Sequence, residues 1–410
     1  MDSKVADDKT LVLHRPTSCR VSNGYRYRYR IAAMLAVILV YSIPSGALAQ
    51  ETLNIATWGG AYGRAQEVAV LQPYAKETGT AIAMEAYGGN PEKLRTLIKE
   101  GKTPVDVVDV SAGALKTLCD EGLLAPIDAQ LLWADGKDKE DFLAGAVSRC
   151  GVASMAWAMA IVANKKAFSG GVPSDVGALL DTNRFPGKRA LPNDALRTLE
   201  LVLLSDGVQP ENIYQELATA EGADRAFAAL DRIRDSILLW DNPAQSMAWV
   251  ISGRAAMAAG YSGRIFRAAV LDRNLEILWD GQIYDLDAWA IPEASQNKAE
   301  AMRFIRFATA PAQLAAQARL TAYGPMRRSA LAQVGEHPAI GVDMREYLPT
   351  APENAQKALQ FDQVWWDRNG KALNKRFAAW ATNLRAPQDA KPEQPRSEGG
   401  NGDPAETDSP

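Results

Sequence analysis

The sequence predicts an α/β protein with a sheet wound largely from parallel strands. Three observations carry this. Short apolar runs of strand length alternate with amphipathic stretches of helix length along residues 51–122. The run Val105–Val110 is apolar throughout except for Asp106 and Asp109, which suits a strand buried on both faces. Gly, Pro and Asn punctuate each run where a turn is needed. Strands that alternate with helices in this way build parallel sheets, and ligands then sit beyond the carboxyl ends of the strands.

Taken in order, Glu51–Ile55 reads as the first strand and ends at Thr57-Trp58-Gly59-Gly60. A helix of about a dozen residues runs through Gln66–Leu71 and stops near Pro73–Gly79. Ala81–Ala86 is a second strand, and Asn90 is placed to cap a helix over Glu92–Glu100. After Val105–Val110, Ser111-Ala112-Gly113 opens a helix that carries Leu115, Leu118 and Cys119 to Gly122. Trp58, Tyr87 and Ser111 thus fall on one rim. Ala153–Asn164 is a long strand. Ala190–Pro192 is a strand followed by a helix from Asp194 through Leu204, and Gly222–Arg234 and Ser246–Ile251 are helical. Ala255–Ala259, Leu275–Trp279 and Leu286–Ile291 are strands, and Lys298–Ala308 is a helix. The residues from about 385 onward are dominated by Pro, Glu, Asp, Gly, Ser and Asn and are expected to be a disordered tail.

The chain of 410 residues has core enough for two or three domains. With 47% apolar and 23% charged residues, collagen-like, coiled-coil and wholly disordered readings are excluded. A net charge of −4 argues against nucleic acid as a partner. Only His14 and His337 occur, which counts against histidine metal sites and His-dependent triads. The N-terminus has the form of an export signal: the basic run Arg26–Arg30, the mostly apolar Ile31–Ile43, then Pro44–Ala49. Thirteen residues reach roughly 20 Å, short of the ~30 Å hydrocarbon core, so a spanning helix is the weaker reading. Cleavage is expected after Ala49, with residues 1–49 as the signal and its extended basic region. It leaves 38 basic and 46 acidic side chains (45 − 7 and 49 − 3), a net of −8. Export to an oxidising compartment makes Cys119 and Cys150 a candidate disulfide, worth about 3 kcal/mol or slightly more; two unpaired buried thiols are the alternative.

A set of short motifs in order carries a family resemblance. They are Thr57-Trp58-Gly59-Gly60, Thr78-Gly79, Pro104–Val108, Gly122–Asp128, Phe185–Leu191, Tyr261-Ser262-Gly263-Arg264, Asp287–Pro292 and Tyr323-Gly324-Pro325. Over roughly residues 51–384 the chain resembles the extracellular solute-binding proteins of ABC importers, in their spermidine/putrescine-binding branch. The resemblance implies the two-lobed type II periplasmic-binding-protein fold, with hinged lobes and a ligand cleft between them. Residues 50–160 with 288–330 would form the first lobe, and 161–287 with 331–384 the second. It also implies a periplasmic monomer that takes no cofactor and hands a small amine to an inner-membrane permease.

A polyamine carrier needs carboxylates at the ammonium groups and aromatic faces along the methylenes. Trp58, Tyr261 and Tyr323 match the family's aromatics, and Asp287 and Asp194 its acids. Trp58 beside Gly-Gly also suits turn packing, and Asp194 also suits a helix cap. Two departures stand out: Arg197 where polyamine binders carry Glu, and Asp285 where they carry Trp. A guanidinium repels a polyamine but fits a carboxylate or phosphonate, and Arg264 is placed to play the same part. Both signs of charge in one cleft suit a zwitterionic ω-amino acid or aminophosphonate. The competing reading pairs Arg197 with Glu200 or Asp194 and leaves the cleft acidic. No nucleophile elbow, zinc motif, P-loop or Rossmann spacing occurs, so an enzyme is not expected.

Overall fold

The computed structural model describes residues 52–100, 105–132 and 138–385. The expected export signal and C-terminal tail lie outside these residues. The strands are β1 (Thr52–Thr57), β2 (Ala81–Ala86), β3 (Val107–Ser111), β4 (Gly151–Asn164), β5 (Arg189–Pro192), β6 (Ile237–Trp240), β7 (Met257–Tyr261), β8 (Leu275–Ala290), β9 (Gly324–Pro325) and β10 (Leu359–Gln360). They form one sheet in the order β2-β1-β3-β8-β4-β7-β5-β6, with β10 on β8 and β9 on β4.

Each wing of the sheet is parallel, as expected: β2-β1-β3 on one side and β7-β5-β6 on the other. The centre is antiparallel, because β4 and β8 run through both halves and pair with each other along most of their length. The two expected strands Leu275–Trp279 and Leu286–Ile291 are the ends of this single β8. Between them, residues 279–282 bulge out opposite Met159–Ile161, which breaks the strand pattern in the sequence without breaking the strand.

Two apolar cores flank these long strands. One gathers β1, β3, the first part of β4 (Val152, Ala153, Ala156), the end of β8 (Leu286, Ala288–Ile291) and the helix Lys298–Ala308. The other gathers Met159–Ala163, Leu275, Leu278 and Ile283 with β5–β7. Leu314, Ala330, Leu348, Phe361, Phe377 and Trp380 also join this second core. The described structure is thus the α/β, two-lobed periplasmic-binding-protein fold, its two cores joined by shared strands.

The first helix is longer than expected, running from Gly60 to Thr78 through Pro73. Proline has no N–H and its ring crowds the preceding turn. The helix absorbs this by widening to a π-helical turn over Glu67–Leu71, where the Gln72 amide donates to the carbonyl of Glu67. Gly79 then ends it in the left-handed conformation, at φ 77°. Cys119 and Cys150 form a disulfide, Cα–Cα 5.8 Å, tying the helix Ala112–Asp120 to the start of β4. Among the described residues no helix is long and apolar enough to cross a membrane.

Candidate functional site

A cavity of about 370 Å³ opens where the two cores meet, lined by Trp58, Tyr62, Trp157, Arg197, Tyr261, Asp287 and Tyr323. Five of the seven are aromatic, contributed by elements from both halves of the sheet.

Trp58 leaves the end of β1 beside Gly59, whose φ of +78° starts the helix in a conformation that other residues resist. A Cβ on Gly89 would come within 2.5 Å of the indole, so the glycine makes room for Trp58 in the turn after β2. Tyr87 lies buried against Trp58, with ring centroids 5.5 Å apart, and donates its hydroxyl to the Asp109 carbonyl at 2.8 Å. It supports the wall from behind. On the other side Tyr62 meets Tyr323 edge to face, centroids 5.3 Å apart, and Trp157 on β4 meets Tyr261 at the end of β7, 5.5 Å apart.

Arg197 is the basic group of the cavity. Its guanidinium carbon lies 5.0 Å from the Trp157 ring centre and 3.9 Å from that of Phe361. It is the one non-glycine residue with positive φ (+66°) among the described residues, and it stands where the helix Thr198–Ser205 begins. Such backbone strain gathers at functional sites. Among the described residues it makes no ion pair, and its Nε is buried without a hydrogen-bond partner. The competing pairing with Glu200 or Asp194 is therefore not made as an ion pair, although the charge of Arg197 acts on both acids. Glu200 lies fully buried behind it, accepts from the Trp366 indole, and is pushed up to about pKa 7 by burial.

The acidic side is built on two adjacent antiparallel strands. Ser111 on β3 faces Asp287 on β8 and Asp109 faces Trp289, so Asp109, Ser111, Asp285 and Asp287 share one face of the sheet. Asp285 is buried, accepts from the Leu286 amide at 2.8 Å, and is raised to about pKa 6 by burial, partly opposed by Arg197. Asp287 is held well above the usual carboxylate range by burial, then by the negative charges of Asp109 and Asp285. Asp109 accepts from Gln66 Nε2 at 2.6 Å and is raised to about pKa 7 by burial. Asp109 and Asp287 each keep one buried carboxylate oxygen without a partner, and the hydroxyl of Tyr62 beside them is likewise unpartnered.

Five predicted site residues do not line this cavity, and one of them is Asp285, buried on β8. Asp194 does not cap a helix, because residues 194–197 form a loop. It accepts from the Leu196 amide and lines a separate cavity of about 290 Å³ against the C-terminal helix, Gln363–Arg385. Arg264 is exposed on the helix Ser262–Leu271. Ser111 caps the helix Ala112–Asp120, and Tyr87 is a supporting residue. Sequence reading missed Tyr62, Trp157 and Asp109. Trp157 sits in an apolar run and reads as core, whereas the two Asp residues in a buried strand were the available signal for Asp109. A larger groove of about 650 Å³, lined among others by Lys116, Tyr214, Tyr284 and Gln363, has no buried unpartnered side-chain atom in its lining. The unsatisfied groups favour the smaller cavity.

The sequence profile of the bacterial extracellular solute-binding proteins matches residues 69–341. A γ-aminobutyric acid-binding protein of Pseudomonas aeruginosa is 34% identical over 360 residues, 87% of this chain and 99% of that protein. Among solved structures, an A. tumefaciens binding protein in complex with agropinic acid is 30% identical, covering 81% of this chain and 98% of that one, with a TM-score of 0.60. A GABA receptor is 26% identical over 80% and 97%, with a TM-score of 0.66. The spermidine/putrescine-binding protein of Streptococcus pneumoniae stands further off at 18% identity over 80% and 99%, TM-score 0.60, a likeness of fold alone. The spermidine/putrescine branch suggested by the sequence motifs is thus a distant neighbour. The relatives are solute-binding proteins rather than enzymes.

Proposed function

Because the chain belongs to the bacterial extracellular solute-binding proteins, we propose that it captures a zwitterionic ω-amino acid of the γ-aminobutyrate class and delivers it to the membrane permease of an ABC importer in the periplasm. The observation that carries the reading is the presence of Arg197 and Asp287 in the walls of one aromatic cavity. The guanidinium, without a carboxylate partner of its own, takes the solute's carboxylate through its paired N–H donors. Asp287 takes the ammonium group, and the faces of Trp58, Trp157 and Tyr261 cover the methylenes between them. The 34% identity to a γ-aminobutyric acid-binding protein supports the same class. The proposed carrier closes by a hinge, because contacts from both halves hold the solute better than those of one. We place its lobes as the sequence divides them, 50–160 with 288–330 and 161–287 with 331–384, with Leu314 and Ala330 of the first packed into the second core at the junction.

A diamine is the second reading, favoured by the number of acids: Asp109, Asp285 and Asp287 share a face against the single Arg197. Calorimetric titration of the mature protein with γ-aminobutyrate, 5-aminovalerate, putrescine and spermidine separates the two. Binding of an ω-amino acid, lost by at least about tenfold in Arg197→Glu, is expected from the loss of one charge-assisted pair. Binding of putrescine alone, kept or improved by Arg197→Glu, overturns the first reading in favour of the second.

A further inference from the structure

Asp109 was not among the residues expected to touch a solute, and it does not line the cavity, yet its surroundings differ from those of an ordinary structural carboxylate. Asp106, three residues earlier in the chain, is nearly as buried but fully occupied. It accepts from the Asn54 amide at 2.9 Å, from Ser295 Oγ at 2.7 Å and from Asn297 Nδ2 at 3.3 Å. Asp109 accepts from Gln66 Nε2 through one oxygen; the other is buried without a partner at hydrogen-bond geometry, and the hydroxyls of Tyr62 and Thr57 stand beside the carboxyl. Gln66 is fixed in turn by the Thr57 hydroxyl, which donates to its carbonyl oxygen. Asp287 on the neighbouring strand, diagonal to Asp109 on the same face, likewise has a buried free oxygen. Diagonal neighbours of this kind lie roughly 7–8 Å apart, close enough for the charge of Asp109 to act on Asp287.

We infer that Asp109 and Asp287 hold one proton between them in the empty cleft and release it when the solute's ammonium group docks on Asp287. Asp109 is on this account a specificity-determining residue, deepening the amine-binding reading on which the inference rests. Two adjacent buried carboxyls cannot both ionise at modest cost. The other groups that act on the pair add no positive charge. Asp285 on β8 is a third acid. Tyr62 from the first helix, Tyr87 after β2 and Tyr323 before β9 are neutral phenols, each held above its usual pKa by burial first. Arg197 acts on Asp285 rather than on either member of the pair. The exchange balances: a carboxyl O–H bond breaks, its proton passes to the buffer, and an ammonium N–H bonds to the carboxylate left behind. A cationic solute therefore enters with no net change of charge in the buried face. A neutral solute of the same shape gains nothing from the exchange, which is how the pair selects amines.

Two measurements test this, one without any solute. In the ligand-free protein labelled with ¹³C at the aspartate carboxyls, one resonance besides that of Asp285 is expected to stay protonated up to near-neutral pH, and Asp109→Asn is expected to move its midpoint to lower pH. In calorimetry with γ-aminobutyrate at pH 6, run in buffers of different ionisation enthalpy, the heats are expected to report release of about one proton per solute bound, with affinity rising about tenfold per pH unit below the pair's midpoint. Asp109→Asn is expected to move both the proton release and the pH slope to lower pH, so that at pH 6 less than one proton is released per solute. Ionised carboxyls on both residues in the empty protein at pH 5 overturn the inference, and so do buffer-independent heats with tight binding. Absence of γ-aminobutyrate binding refutes the proposed solute instead, and the carboxyl titration of the empty protein still decides the inference.

Discussion

Trp58 shows how a single side chain is positioned by what its neighbours lack. Its indole occupies space that a Cβ at Gly89 would need, 2.5 Å away. Gly89→Ala is expected to push the ring into the cavity, weakening solute binding by about tenfold, the equivalent of about 1.4 kcal/mol, while leaving the melting temperature of the empty protein within a few degrees. Calorimetry and thermal melts on the same variant check both halves. Asp106 makes the opposite case: its hydrogen bonds tie β3 to β1 and to the segment after β8. Asp106→Ala removes a buried acceptor from several donors and is expected to destabilise by about 2–4 kcal/mol in urea unfolding with affinity per folded molecule unchanged. At this scale the sequence was partly legible. Trp58, Arg197, Asp287, Tyr261 and Tyr323 could be picked out because aromatic and charged residues at strand ends are conspicuous. Asp109, Trp157 and Tyr62 were not, because inside apolar runs a functional side chain and a core side chain look alike until the partners are known.

Elements come next. The motif Phe185–Leu191 is explained by Arg189, which is fully buried and donates to the backbone carbonyls of Leu179, Gly187, Ala178, Asp181 and Phe185. Burial lowers its pKa to about 10, so the guanidinium remains charged at neutral pH. Arg189→Met leaves those carbonyls without their donor and is expected to cost about 3 kcal/mol or more, read as a lower denaturant midpoint. The Cys119–Cys150 bridge closes 31 residues, and the Cys119→Ser/Cys150→Ser variant is expected to lose about 3–4 kcal/mol by the same measurement. An unchanged midpoint would show that the bridge adds nothing. The parallel wings and the Asn90 cap were readable from local pattern and the disulfide from the export context, whereas Asp194 suited a cap and makes none. The antiparallel centre was not, because β8 hides a bulge over residues 279–282 that interrupts its alternation. The loop 194–197 was read as helix because its residues favour helix locally. The contacts of Arg197 with Trp157 and Phe361, distant in sequence, hold it otherwise.

Across the whole molecule, buried acids give the ligand-free protein an unusual pH profile. Asp109 and Glu200 are raised to about pKa 7 and Asp285 to about 6, against values near 4 when unfolded. Between those values the folded state binds more protons than the unfolded state, so stability falls as pH rises from about 4 to 7. Thermal melts of the empty protein are expected to show this decline, and a saturating ω-amino acid to flatten it by replacing a proton with an ammonium group. The fold class was legible at this scale because order and spacing of many weak motifs survive where single motifs do not. The preferred solute was not, since it depends on which charged groups face one cavity. Arg197 and Asp287 do, whereas Asp194 and Arg264 do not. The most direct measurement is a crystal structure of the mature protein with γ-aminobutyrate bound. The account predicts the carboxylate on the Arg197 guanidinium, the ammonium on Asp287 and the methylenes against Trp58 and Trp157. A solute seated elsewhere, or bound with its carboxylate turned away from Arg197, would contradict it.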